Sequence, residues 1–189
     1  MRSIQRLLQG ALLVSLALAA AGVPALATAS DDDPAAIKKA GAAVDMFKKT
    51  DPSLDKFFKN AKGWAVFPTV TKGAIGIGGA GGKGVLFEKG GTAVGKTSLT
   101  QVTVGLALGG QSFSEIIFFE NDLALTKFKG GDFSLAAQVS AVAAASGAAA
   151  AAKYTQGVAV FTAGESGLMV EASVGGQGFG FTPFGEKKK

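Results

Sequence analysis

Apolar and polar positions along this chain follow two periods in succession. Over residues 34–62 the period is helical: at 100° per residue Ile37, Ala40, Gly41, Val44 and Phe47 share one side, while Lys38, Lys39 and Lys49 lie away from it. Asp31, Asp32, Asp33 and Pro34 make a helix start, with acids matched to the positive end of the dipole and proline in the first turn. Thr50-Asp51-Pro52 predicts a second helix, in which Leu54, Phe57, Phe58 and Ala61 fall within an arc of about 100°, opposite Asp55, Lys56 and Lys59. Gly63 is expected to end it.

From Trp64 onward the period becomes two. Val102, Val104, Leu106 and Leu108 alternate with Thr103, Gly105 and Ala107; Phe133, Leu135, Ala137, Val139 and Ala141 do likewise, and Val158 and Val160 fit the same pattern. AIGI at 74–77, VLF at 85–87 and IIFF at 116–119 read as shorter or more buried strands. Gly-Gly pairs at 78/79, 81/82, 90/91, 109/110, 130/131 and 175/176 read as tight turns or bulges. NDLALTKF at 121–128 predicts a helix capped by Asn121 or Asp122, with Leu123, Leu125 and Phe128 as its apolar residues. The alanine-rich 143–152 has high helix propensity but continues an alternating strand and is broken by Ser146-Gly147, so the expectation there is a strand end and a mobile loop. The expected fold is α+β and β-rich: N-terminal amphipathic helices packed on a curved, glycine-rich antiparallel sheet or barrel-like β body.

The first residues read differently. Arg2 and Arg6, an apolar run over 10–22, Pro24 and small-x-small sites at 25–27 and 27–29 have the layout of a secretory signal peptide. An uncleaved membrane anchor is the alternative, since the weakly polar stretch approaches the ~20 residues a spanning helix needs. Cleavage near Thr28 or Ser30 would leave one domain over 30–189, helical at 34–62 and β-rich at 63–184, in the periplasm or secreted. With no cysteine to acylate, it is not a lipoprotein.

Composition then narrows the chemistry. The chain has no Cys and no His, and Arg2 and Arg6 are its only arginines. A cleaved chain would carry 17 lysines against 14 acids, a formal +3. Thiolate and imidazole nucleophiles, disulfides, and zinc, haem or iron–sulfur sites are excluded. Fourteen of the 28 glycines fall between Gly63 and Gly110, a local excess that asks for special backbone geometry.

Two motifs match by letters and fail by mechanism. GGTAVGKT at 90–97 fits the phosphate-loop pattern, yet the β-branched alternation after it predicts a strand, where the mechanism needs a helix N-terminus aimed at the phosphates. Gly76-x-Gly78-x-x-Gly81 and Gly79-x-Gly81-x-x-Gly84 fit the dinucleotide fingerprint without a βαβ unit. Glu115, Glu120 and Glu171 offer carboxylates for acid–base work, but nothing in their spacing pairs them, and they read as surface or strand-end residues.

Lys38, Lys39, Lys48, Lys49, Lys56, Lys59 and Lys62 crowd the two N-terminal helices against Asp45, Asp51 and Asp55. They read either as an ordinary solvated face or as a cationic surface for anionic head groups, each lysine near a membrane adding about 1 kcal/mol. Trp64, Phe57 and Phe58 read either as core or as residues that enter a bilayer.

An ordered series of motifs carries a resemblance. GWAVFPTVTKG at 63–73 runs into GIGG at 76–79 and GKGVL at 82–86; Ser98-Leu99, VGLALGGQS at 104–112, EIIFF at 115–119 and SGLMVEASV at 166–174 follow. In these residues the chain resembles the SYLF family over about residues 34–183, a lipid-binding domain of bacterial exported proteins and of eukaryotic trafficking and actin-regulating proteins. The resemblance implies a β-rich domain with N-terminal helices, no catalysis, and binding to acidic phospholipids; eukaryotic members bind phosphoinositides and some fungal members bundle actin. This sequence departs from the family in carrying a leader and no accompanying signalling domain, so phosphatidylglycerol and cardiolipin are the expected lipids.

The expectation is therefore an exported, non-enzymatic protein that binds anionic phospholipids at the bacterial envelope. Its lipid-binding candidates are Lys38, Lys39, Lys48, Lys49, Lys56, Lys59, Lys62 and Trp64. No cofactor, metal or nucleic-acid partner is expected. The alternatives are an envelope scaffold that self-associates or binds a protein partner, a membrane-spanning β-barrel, and, last, a hydrolase or NTPase.

Overall fold

The computed structural model describes residues 32–75, 77–104, 109–131, 133–135, 139–164 and 176–185. The leader at 1–29, the strand positions Leu106 and Leu108, Glu171 and the motif at 166–174 lie outside the described residues.

Helix α1 runs Asp32–Thr50 with Lys48 and Lys49 in its last turn, so acids and bases sit at the dipole ends they stabilise. A 3-10 turn at Pro52–Leu54, with Pro52 near its start and Asp51 as N-cap, leads into α2 at Asp55–Asn60. Ala40, Ala43 and Phe47 of α1 are buried, as are Leu54, Phe57 and Ala61 after it. Gly63 does not terminate α2, whose C-cap is Ala61; it is the first residue of strand β1.

Strands β1 (Gly63–Ile75), β2 (Ile77–Glu88), β3 (Thr92–Val104) and β4 (Gly109–Phe119) are long. Helix α3 (Asp122–Gly130), strand β5 (Val142–Ala143), the one-turn helix α4 (Ala148–Ala151), β6 (Val158–Gly164) and β7 (Gln177–Pro183) follow. The seven strands form one sheet in the order β5-β6-β4-β1-β2-β3-β7. Every pairing is antiparallel except β5 with β6, so the sheet is mixed, and it is open, with β5 and β7 at its edges.

The sheet is buried on both faces. Along β1, Trp64 and Val66 point into one apolar cluster with α1, α2 and α4, while Ala65 and Phe67 point into another beneath α3. Both of β1's ladders slip register between Val66 and Val70. Pro68 has no N–H to give a ladder, so a central strand tolerates it only at such a bulge; its carbonyl accepts from Ser114 Oγ at 2.6 Å.

Several expectations are corrected here. The Gly-Gly pairs 78/79 and 81/82 are not turns; they lie inside an unbroken β2. Nearby Gly84 is required by close approach, since a Cβ there would collide with the Val66 carbonyl and the Phe67 ring. Gly90 and Gly91 do form a turn, at φ 93° and 87°. The expected apolar side of β3 is reversed: Thr97, Leu99 and Gln101 face the core, and Val102 is 75% exposed. Among the described residues 133–135 and 139–141 there is no continuous strand: Leu135 and Val139 pack on the core beneath α3, and Ser134 bridges to Gly178. The alanine-rich segment opens on the end of β5 at Ala143 and then forms α4, because Asp51 supplies the cap that its own sequence lacks.

Candidate membrane-binding face

On α1, Lys38 and Lys49 stand eleven positions apart, which on a helix is about 20° of rotation, and both point opposite the buried Ala40, Ala43 and Phe47. Over residues 33–62 five lysines (38, 39, 48, 49 and 59) are exposed against two exposed acids, Asp45 and Asp55. Asp33 pairs with Lys96 at 2.6 Å, and Asp51 is buried, so neither offsets that outward charge.

The remaining lysines have structural tasks. Lys62 pairs with Asp122 at 3.3 Å. Lys56 Nζ donates to the carbonyls of Ala150 and Ala152 at 2.7 and 3.2 Å and lies 5.0 Å from the centre of the Phe57 ring. Lys48, although exposed, sits 4.5 Å from the centre of the Phe58 ring.

Beneath these lysines lies an aromatic layer. Phe57 contacts Phe118 and Phe161 with centroids 5.4 and 5.0 Å apart, and Phe58 stands edge-on to Trp64 and Phe118 at 5.2 and 4.8 Å. Trp64 is 7% exposed and stacks on Phe87. Of the lipid-binding candidates it is the one the structure buries: it lies near the start of a central strand whose outer face α1 and α2 cover, and its Nε1–H finds no acceptor among the described residues. With the helices in place, the side that faces outward is cationic and the apolar side is spent on packing.

Asp51, fully buried, accepts four hydrogen bonds: from Ser53 N and Oγ, and from the backbone of Gly147 and Ala149. Burial alone would raise its carboxyl, but these donors together hold it below its ordinary value. A cavity of about 370 Å³ opens between α2 and the chain after α4, lined by residues that include Lys56, Phe57, Asn60, Glu120, Lys153 and Tyr154. Burial, and then the charge of Glu120, push the Tyr154 hydroxyl up to about 12.

The opposite face of the sheet holds a polar group that sequence reasoning misplaced. Glu115 is neither a surface nor a strand-end residue; it is fully buried in mid-β4, while Glu120 is exposed just past that strand. Burial pushes its carboxyl up to about 8, offset only by the Gln177 amide, which donates to Oε2 at 3.0 Å. Gln101, Thr162 and Gln177, none of them singled out from the sequence, are buried polar residues on neighbouring strands. Their only sequence signal is a polar residue at an inward position of an alternating strand, seen once the phase of β3 and β6 is known.

The turn at Gly90-Gly91 feeds directly into β3, with Lys96 in the strand and bonded to Asp33, so no helix N-terminus aligns on a phosphate. Among the described residues no group of three or more His, Cys, Asp or Glu could hold a metal ion, and no helix is long and apolar enough to cross a membrane.

No family model matches the chain. A curated relative, Beta cell expansion factor A of Aeromonas veronii, is 30% identical over 128 residues, covering 66% of this chain and 48% of the relative. The chain thus spans about half the length of the protein it matches.

Proposed function

We propose that this chain is an exported, non-enzymatic SYLF-type protein whose α1–α2 face binds anionic phospholipids by charge. The observation that carries the reading is the outward cluster of Lys38, Lys39, Lys48, Lys49 and Lys59 over a buried aromatic layer. Lysine ammonium groups are hydrated point charges, suited to loose attraction by many phosphates at once rather than to bidentate capture of one. Five of them at about 1 kcal/mol each would hold a protein of this size at an anionic surface at low salt and release it as salt screens the field.

The same reading takes the sheet as curved. Four strand spacings separate β4 from β7, roughly 19 Å on a flat sheet, yet Gln177 on β7 bonds Glu115 on β4 at 3.0 Å. Curvature of that kind leaves the opposite, convex face to the helices and presents their lysines outward.

Flotation with vesicles of phosphatidylglycerol or cardiolipin, against phosphatidylcholine alone, tests the proposal. Binding is expected at low salt only with anionic lipid, and Lys38→Gln/Lys39→Gln/Lys49→Gln/Lys59→Gln should abolish it. Equal flotation with neutral vesicles, or full binding by the quadruple variant, would sink the reading.

A further inference from the structure

Glu115 and Gln177 are both fully buried, and one bond joins them, from Gln177 Nε2 to Glu115 Oε2. Each is left with one oxygen that has no partner among the described residues: Oε1 of Glu115 and Oε1 of Gln177. Two acceptors left over on a bonded acid and amide are short of one donor, and a single proton on Glu115 Oε1 supplies it. The carboxylic acid and the amide then each donate once and accept once, the arrangement that leaves no buried polar atom of the pair unsatisfied.

Among the described residues no lysine pairs with Glu115 in place of that proton. Thr162 stands directly across from Glu115 on β6 and Phe67 directly across on β1. The described residues of β6 and β7 carry no titratable side chain. From the elements packed near, α3 brings Asp122, Lys127 and Lys129, β2 brings Lys83 and Glu88, β3 brings Lys96 and β1 brings Lys72. The ion pairs they enter are Lys129 with Glu88, Lys62 with Asp122 and Lys96 with Asp33, none of which includes Glu115.

We propose that Glu115 is held as a neutral carboxylic acid whose proton closes a clasp with Gln177, fastening β7 onto β4 across the intervening strands, and that loss of the proton to water opens it. The clasp has something to guard. Phe179, two residues along β7 from Gln177, packs against Phe67, Phe128 and Phe133 with centroids 5.8, 5.4 and 5.8 Å away. Lifting β7 uncovers that aromatic interior, on the side of the sheet away from the lysines. The proposal does not depend on lipid binding.

The test combines two measurements on the full chain between pH 6 and 9: the side-chain carbonyl ¹³C shift of Glu115, and hydrogen exchange of residues 177–183 relative to β1 and β2, corrected for intrinsic rates. Glu115 should stay protonated at pH 7 while exposed glutamates are ionised, and β7 should lose at least tenfold in relative protection towards pH 9. Glu115→Gln, whose amide can make the same two bonds at any pH, should abolish that loss. A Glu115 already ionised at pH 6, alone or with sodium or calcium bound beside it, overturns the proposal, as does β7 protection that is flat with pH in the parent. If the glutamine variant does not fold, the parent's carbon titration and exchange profile decide.

Discussion

Asp51 and Lys56 hold opposite ends of the same one-turn helix. The Asp51 carboxylate accepts from the N–H groups of Gly147 and Ala149 at 3.1 and 2.7 Å at the start of α4, and the Lys56 ammonium donates to the carbonyls of Ala150 and Ala152 at its end. Four residues are too few to hold a helix by their own bonds, so these charges, each placed at the dipole end it favours, stand in for the missing turns. Asp51→Ala would leave the buried Ala149 N–H and the partly buried N–H groups of Gly147 and Ser53 without their acceptor and should cost about 2–4 kcal/mol by chemical denaturation. The parent's contribution from Asp51 has a definite sign with pH. Its folded-state carboxyl lies below the ordinary value of 3.8, so the stabilisation is present above about pH 4 and is lost as pH falls through the lower folded-state value. Asp51→Asn should flatten that acid limb.

Glu115 has the opposite sign. Its folded-state value of about 8 lies above the ordinary 4.5, so the folded protein binds the extra proton between those limits and stability falls as pH rises from one to the other. The fall should be roughly 3–5 kcal/mol in total. Glu115→Gln removes the ionisable group: unfolding curves of parent and variant should lie close together at pH 4 and diverge by pH 8, with the variant the more stable. Curves that run parallel over that range would refute the assignment of this limb to Glu115.

Two glycines on neighbouring central strands separate geometry from composition. At Gly84 a Cβ would meet the Val66 carbonyl and the Phe67 ring, whereas at Gly73 nothing lies within 4 Å. Gly84→Ala should therefore destabilise by about 3 kcal/mol or more, because backbone at a bulge cannot move aside as a side chain can. Gly73→Ala should be neutral or stabilising by roughly 0.5–1 kcal/mol through the unfolded chain's lost freedom. Thermal melts of the pair check both at once.

That contrast also marks what could be read from the residues alone. Helices α1, α2 and α3 were legible because spacing and caps are local: Pro52 near the first turn, Asn121 accepting from Ala124 N, Phe47 and Phe57 on the predicted inner sides. The strands were legible in kind but not in extent, since the β2 glycines do not turn the chain, and Gly82 and Gly84 serve a close approach that depends on β1 lying against them. The phase of β3 could not be read because Gln101 is buried only once β7 pairs beside it, with Gln101 opposite Gln177. Glu115 and Asp51 were opaque for the same reason. Their partners lie 62 and up to 98 residues away, and no local pattern announces a buried carboxyl. Of the lipid-binding candidates, Lys38, Lys39, Lys48, Lys49 and Lys59 are exposed because charge is outward by default, whereas Trp64 is buried, because an aromatic residue near a strand start is drawn under whatever helix covers it.

Trp64 is the chain's single tryptophan and so reports where that cover goes. If the lysines bind by charge alone, α1 and α2 stay seated, because lifting them would expose Phe57, Phe58 and Trp64 together and forfeit several kcal/mol of burial before any lipid contact formed. Trp64 emission should then be unchanged on binding phosphatidylglycerol vesicles and untouched by brominated acyl chains. The bonds from Asp51 and Lys56 to the ends of α4 set how firmly the cover holds: Asp51→Ala frees α4, which packs on the same cluster as α2, and should raise acrylamide quenching of Trp64 in the absence of lipid. Quenching by brominated chains in the parent at low salt would show that the helices leave the sheet and that apolar insertion, rather than charge, supplies the affinity.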